Sequence, residues 1–172
     1  MATKKPFKDD VEVLNYALTL EHLEATFYRD AIAKYANADF VAAGLQTSVR
    51  DYIVLIGGHE KDHVDVLTSV ITKLKGTPVK EAKYDFGYKD VKSFLKTAAA
   101  IENTGVAAYT GAAQYLMDTP ALLTAALTIH GVEARHASYL NVLTGANPFP
   151  SAVDAPKTKD EVLKIAGPFI KK

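Results

Sequence analysis

From residue 10 onward, apolar side chains return every three or four positions. In the segment VEVLNYALTLEHLEATFYRDAIAKYA they include Leu14, Ala17, Leu18, Ala25, Tyr28 and Ile32, near the period of a helix face, with Asp9 and Asp10 as caps. This predicts a first helix over about 10–36. A second periodic run extends from Phe40 or Val41 to Leu74 and stops at Gly76-Thr77-Pro78, with Gly57-Gly58 a weak point inside it. Asp90 caps a third helix through Met117, carrying Phe94, Leu95, Ala98, Ile101, Tyr109, Ala112 and Leu116. Pro120 suits the first turn of a fourth, which runs to Leu143 and ends at Gly145. Residues 148–172 hold four prolines and one short helical pattern, DEVLKIA, and predict a tail packed along the body.

Connection lengths constrain the topology, because short links join antiparallel neighbours and a long one can travel the length of a bundle. The first and second helices are tightly joined, as are the third and fourth. The only long link is KGTPVKEAKYDFGYK, Lys75 to Lys89. The expected fold class is all-α: a four-helix bundle of two hairpins joined by one crossover, with an irregular C-terminal tail. Residues 1–172 are expected to form a single domain, with the bundle over about 10–145 and the tail over 146–172.

At 172 residues and 48% hydrophobic content, the chain can bury one sizeable core. Twenty basic and twenty acidic residues cancel, so no field favours nucleic acid or an anionic membrane. Lys4-Lys5 and Lys171-Lys172 read as solvated ends. With no cysteine, any metal must sit on oxygen and imidazole. MATKKPFKDD lacks the apolar core of a signal peptide, and no apolar run spans a bilayer, so a soluble protein is expected. If complete, the chain is expected in the cytoplasm; if trimmed, it is secreted or periplasmic.

The stretch GGHEKDH, residues 57–63, contains HExxH, the helical signature of zinc peptidases. An internal repeat separates this motif from its neighbours. LTLEHLEATFY (18–28) aligns with AAIENTGVAAY (99–109), matching Glu21 to Glu102 and Tyr28 to Tyr109. LIGGHEKDHVDVL (55–67) aligns with TIHGVEARHASYL (128–140), matching Glu60 to Glu133 and His63 to His136. His59, the first ligand a zinc peptidase needs, corresponds to Val132. The repeated unit is therefore ExxH, and a zinc peptidase is the distant alternative.

Glu and His three residues apart lie about 60° apart on one helix face and reach the same point in a core. Two such pairs, Glu60/His63 and Glu133/His136, with Glu21 and Glu102 from the other two helices, match the inward-projecting pattern of dinuclear carboxylate bundles. Four buried carboxylates cannot all stay ionised without cations, and two divalent metals cancel their charge. Oxygen-dominated ligation favours iron or manganese, with zinc as an adventitious occupant. Glu24, three after Glu21, is a candidate extra ligand or proton relay, or else a partly exposed helix charge. Tyr28 and Tyr109 are candidates to hydrogen-bond ligand carboxylates, with plain aromatic packing as the alternative. His22, His59 and His130 fall outside the repeat and are expected at the surface or edge. The run GVAAYTGAA (105–113) either opens a cavity or allows close helix packing.

These residues resemble the ferritin-like superfamily and, more narrowly, the desiccation-related ferritin-like proteins of bacteria, fungi and plants. The resemblance covers nearly the whole chain, through LNYALTLEHLEATFY, GGHEKDHVDVL, IENTGVAAYTGAA, VEARHASYL and the tail ANPFPSAVDAPKTKDEVL. It implies a dinuclear site at Glu21, Glu60, His63, Glu102, Glu133 and His136. Related bundles reduce peroxide with an extra carboxylate, as in rubrerythrin-like proteins, or dismutate it, as in manganese catalases. The expected function is thus a dinuclear iron, or iron/manganese, protein reacting with dioxygen or hydrogen peroxide under oxidative or desiccation stress. A peroxidase would need an external electron donor, and a homodimer is among the assemblies open to it. The alternative is a non-enzymatic stress-protective or structural protein with a stabilising metal site.

Overall fold

The computed structural model describes residues 6–116 and 118–171. Lys4-Lys5, Met117 and Lys172 lie outside the described residues. Six helices follow one another: α1 (Asp10–Lys34), α2 (Asn37–Ala42), α3 (Ser48–Lys73), α4 (Val91–Ala112), α5 (Pro120–Thr144) and α6 (Lys159–Ala166). Short 3-10 turns cover Ala113–Leu116 and Gly167–Phe169. Among the described residues there is no strand beyond one isolated bridge between Tyr84 and Ile170.

Local chemistry sets the helix ends. Asp9 accepts the Glu12 amide at 2.9 Å to start α1, and Asp90 accepts the Ser93 amide at 2.7 Å to start α4. Pro120 opens α5, and Gly145, at φ 76°, closes it in the left-handed conformation that only glycine adopts without strain. The predicted second helix is in fact two. Gly44, at φ 87°, ends α2, and the Leu45 amide bonds the Phe40 carbonyl before α3 begins. The Asp39 carboxylate accepts the Ala36 amide at 2.7 Å and starts α2 earlier than periodicity predicts. The third predicted helix tightens into a 3-10 turn after Ala112.

The bundle consists of α1, α3, α4 and α5. On α3 the buried residues Val49, Ile53, Ile56, Glu60, His63, Leu67 and Ile71 form one stripe. Helix α1 is buried more widely, because the crossover lies along its outer side. Asn15, His22 and Arg29, seven residues apart, hold that crossover: Asn15 bonds Thr77 O and Val79 N, His22 bonds Val79 O, and Arg29 makes two 3.0 Å bonds to Glu81. The tail returns over the crossover through Asp85 N to Phe169 O and Lys171 N to Lys83 O, both 2.8 Å.

The α1–α3 helix pair is antiparallel, as is α4–α5. Tyr28 meets Glu102 while Tyr109 meets Glu21, so α1 and α4 are antiparallel as well. The crossover therefore runs the length of the bundle, as its length predicted. One end of the core is aromatic, with Phe27, Tyr28, Tyr35, Phe40 and Tyr88 around Phe94 at centroid distances of 5.0–6.5 Å. The other end is aliphatic, built from Leu14, Leu67, Leu116, Leu122 and Ile129. The polar residues that matter chemically lie between the two.

Glycine resolves two sequence questions. Helix α3 runs unbroken through Gly57-Gly58; a Cβ on Gly57 would lie 3.0 Å from Ile32 Cδ1 and Tyr28 Cβ, so this glycine lets α1 approach. In the small-residue run of α4, a Cβ on Gly111 would lie 2.0 Å from the Lys157 carbonyl. At Gly111 the run serves close packing: the tail backbone crosses α4 there, with Lys157 N bonding Ala107 O at 3.0 Å.

Candidate metal centre

Glu21 comes from α1, Glu60 and His63 from α3, Glu102 from α4, and Glu133 and His136 from α5. The four carboxylates are fully buried, and the two imidazoles are at most 8% exposed. Their donor atoms form two sets, each within 4.8 Å: Glu21, Glu60, His63 and Glu133, and Glu60, Glu102, Glu133 and His136. Glu60 and Glu133 belong to both.

Each imidazole faces the carboxylates through its Nδ1. His136 Nδ1 lies 2.9 Å from Glu60 Oε1 and 3.3 Å from Glu102 Oε2. His63 Nδ1 lies 3.0 Å from Glu133 Oε1, 3.2 Å from Glu21 Oε2 and 3.3 Å from Glu60 Oε2. Yet Glu60 Oε1, Glu102 Oε2, both Glu133 oxygens and His136 Nδ1 make no aligned hydrogen bond among the described residues. Buried polar atoms this close and this poorly paired are costly, and two divalent cations would satisfy them and balance four carboxylates. The residues fit such a pair of ions.

Burial and close approach set the protonation of the cluster's carboxylates and imidazoles. Burial pushes Glu21 up to about 7, against hydrogen bonds from His63 and helped by the charge of Glu60. Burial and neighbouring carboxylates push Glu133 well above the carboxylate range, and Glu102 also moves up. Glu60 is the exception: although burial opposes it, His136 and His63 hold it down at about 2. Burial likewise opposes the imidazolium forms, but Glu133, Glu21 and Glu60 lift His63 to about 12, and Glu102 and Glu60 lift His136 to about 9. Cations entering the cluster would displace these protons.

Both tyrosines bond carboxylates of the cluster, each reaching the opposite helix. Tyr28 Oη donates to Glu102 Oε1 and Tyr109 Oη to Glu21 Oε1, each at 2.5 Å, reflecting the repeat. Glu24 is 2% exposed and so is not a surface charge. It joins neither donor set, but a Cβ on Gly105 would lie 3.1 Å from its Oε1 and 3.4 Å from Glu133 Oε2. Gly105, its counterpart in the repeat, therefore leaves space for the Glu24 carboxyl next to Glu133. Burial and the surrounding carboxylates push Glu24 well above its usual range.

The remaining histidines divide. His22 is half-buried and clips the crossover, and His130 is half-buried with Thr110 Oγ1 3.0 Å from its Nε2. His59 is exposed, as expected, and joins neither donor set, so HExxH does not assemble a zinc-peptidase pair. It is not idle, however: its Nδ1 lies 3.0 Å from His136 Nε2. The clue in the sequence is where the repeat fails, at His59/Val132 and Glu24/Gly105. Both departures place an extra polar group of the first hairpin beside a cluster residue of α5.

Residues 9–146 match the family described as Ferritin-like domain. The chain is also similar to Protein rds1 of Schizosaccharomyces pombe, at 26% identity over 171 residues, which make up 98% of this chain and 41% of that protein. It thus spans about two fifths of the length of this curated relative.

Proposed function

The chain belongs to the ferritin-like domain family, and from that premise we propose that its buried cluster is a dinuclear iron or iron/manganese site of an oxidoreductase acting on dioxygen or hydrogen peroxide. The carrying observation is that two four-residue donor sets share Glu60 and Glu133. In this reading Glu60 and Glu133 would be shared by both ions, Glu21 and His63 would complete one position, and Glu102 and His136 would complete the other. The predominance of carboxylate oxygen selects iron and manganese over softer metals, leaving zinc as an adventitious occupant. Such ions, when bound, supply the electrons that reduce the oxidant.

The protein's own residues do the rest. Tyr28 and Tyr109 hold Glu102 and Glu21 in place by donating to one oxygen of each. Reducing hydrogen peroxide to two waters consumes two electrons and two protons, and Glu24 is the carboxyl that holds a proton beside Glu133. Glu24 borders a cavity of about 20 Å³ and Tyr109 one of about 30 Å³, each with room for one water-sized molecule. The chain has no cysteine, so a peroxidase cycle draws electrons from an external donor. Oxidative or desiccation stress is the setting of this reading.

Elemental analysis of protein grown with iron and manganese, combined with absorption spectra during peroxide addition, tests it. We expect about two such ions per chain and a peroxide-dependent spectral change. Little metal, or zinc alone with no spectral response, refutes the proposal. The tight enclosure of the cluster favours a second reading, a metal pair that only stabilises the bundle. In that case chelation lowers the melting temperature, but no oxidant turnover accompanies the bound metal.

A further inference from the structure

His136 presents Nδ1 to Glu60 and Glu102 and turns Nε2 toward His59. A neutral imidazole has one lone pair and one N–H. If Nδ1 is to bind a cation, Nε2 must carry the hydrogen, and that hydrogen needs an acceptor. His59 Nδ1 supplies one at 3.0 Å, and the ring centroids stand 5.2 Å apart, so the two rings meet nitrogen to nitrogen, edge to edge. His59 is otherwise exposed on α3, leaving its second nitrogen to carry its own hydrogen.

The repeat shows that this contact is one-sided. The position in α5 equivalent to His59 is Val132, which has no side-chain acceptor, so the first hairpin supports His136 and the second returns no such support to His63. We propose that His59 is a positioning residue for His136, fixing the tautomer that offers Nδ1 to the cluster and making the two metal positions unequal. The proposal rests on the dinuclear reading above. A hydrogen bond of this kind makes the ligand nitrogen more basic, and losing one typically costs about 10–100-fold in metal affinity.

The test uses cobalt(II), an air-stable probe for iron(II), titrated into metal-free wild type, His59→Ala and His59→Asn. Asn Oδ1 falls close to the place of His Nδ1 and keeps the acceptor. Wild type should bind two ions. His59→Ala should weaken one position about 10–100-fold and leave the other unchanged, and His59→Asn should restore much of the loss. Proton NMR of the cobalt-loaded protein adds a readout that a merely structural role would not move. The shifted imidazole N–H of one ligand histidine should exchange slowly in wild type and His59→Asn and quickly in His59→Ala. Two unchanged affinities and unchanged exchange in His59→Ala would overturn the role of His59 while leaving the dinuclear site standing. Failure of wild type to bind two ions removes the dinuclear reading, and this proposal with it.

Discussion

Glu133→Leu should make the metal-free protein more stable and the metal-loaded protein less so. Both Glu133 oxygens are buried without an aligned hydrogen bond, and the carboxylates of Glu60, Glu102 and Glu21 surround them. In the absence of cations its one favourable contact, His63 Nδ1 at 3.0 Å, stands against burial and three neighbouring carboxylates, so the side chain is a net cost. Leucine is apolar and close in volume, and His63 keeps Glu21 and Glu60. Replacing a whole buried ion pair by apolar residues of similar volume stabilises by about 1–4 kcal/mol, and the lower part of that range applies because His63 loses one of its three carboxylates. Taking about 2 kcal/mol, and about 3 °C per kcal/mol for a chain of this size, the metal-free melting temperature should rise by about 6 °C. Metal reverses the order. Wild type gains about 2.7 kcal/mol for each bound ion when free metal stands at 100 times its dissociation constant, whereas the variant, lacking a shared ligand, gains little. Thermal melts in chelator and in excess manganese should therefore cross. A variant less stable than wild type in chelator would show that Glu133 is a structural partner and refute this account of the cluster.

Three further outcomes follow from the same geometry. The metal-free protein should lose stability as pH rises: Glu21 is raised from 4.5 to about 7, so its favourable protonated state is intact below about 4.5 and lost through 7. His136 and His63, raised from 6.5 to about 9 and about 12, stabilise fully below about 6.5 and lose that contribution as pH climbs toward those values, whereas Glu60, lowered from 4.5 to about 2, contributes fully above about 4.5 and loses its contribution as pH falls toward 2. Glu21 alone is worth on the order of 3 kcal/mol by pH 7, which denaturant melts in chelator would detect, and bound manganese should flatten the decline. Tyr28→Phe should cost about 1–3 kcal/mol by leaving Glu102 Oε1 unpartnered in the core, and an unchanged urea midpoint would contradict it. Gly111→Ala should free the tail, because the new Cβ falls 2.0 Å from Lys157 O; limited proteolysis within 146–158 should speed up, and an unchanged cleavage rate would refute that docking.

Much of the bundle was legible because its helices obey local rules. Asp90, Pro120 and Gly145 mark their ends with capping chemistry, and buried stripes fix the inward faces. The break between α2 and α3 was hidden, since the positive φ of Gly44 depends on backbone closure that apolar spacing does not report. Within the cluster, the two ExxH units gave four residues and the companion repeat gave Glu21 and Glu102, and the structure brings all six together. Their contacts beyond that set were harder to read. Tyr28 bonds Glu102 rather than the glutamate seven residues before it, a choice made by the antiparallel crossing of α1 and α4. His59 looked incidental because its partner lies 77 positions away, and only the packing of α3 against α5 brings them together. Gly111 owes its role to a tail whose path no periodicity encodes.

Neither hairpin owns a site. Each donor set draws on both, and the two shared glutamates come one from α3 and one from α5. During folding, α1 can pair with α3 and α4 with α5 through short links before the halves meet, so no complete binding position exists until the last docking step. That step is also the first moment at which Glu60 and Glu133 must approach each other. Each hairpin alone holds three of the four donors of one set, Glu21, Glu60 and His63 in the first and Glu102, Glu133 and His136 in the second, so docking of the halves supplies the fourth donor to both sets at once.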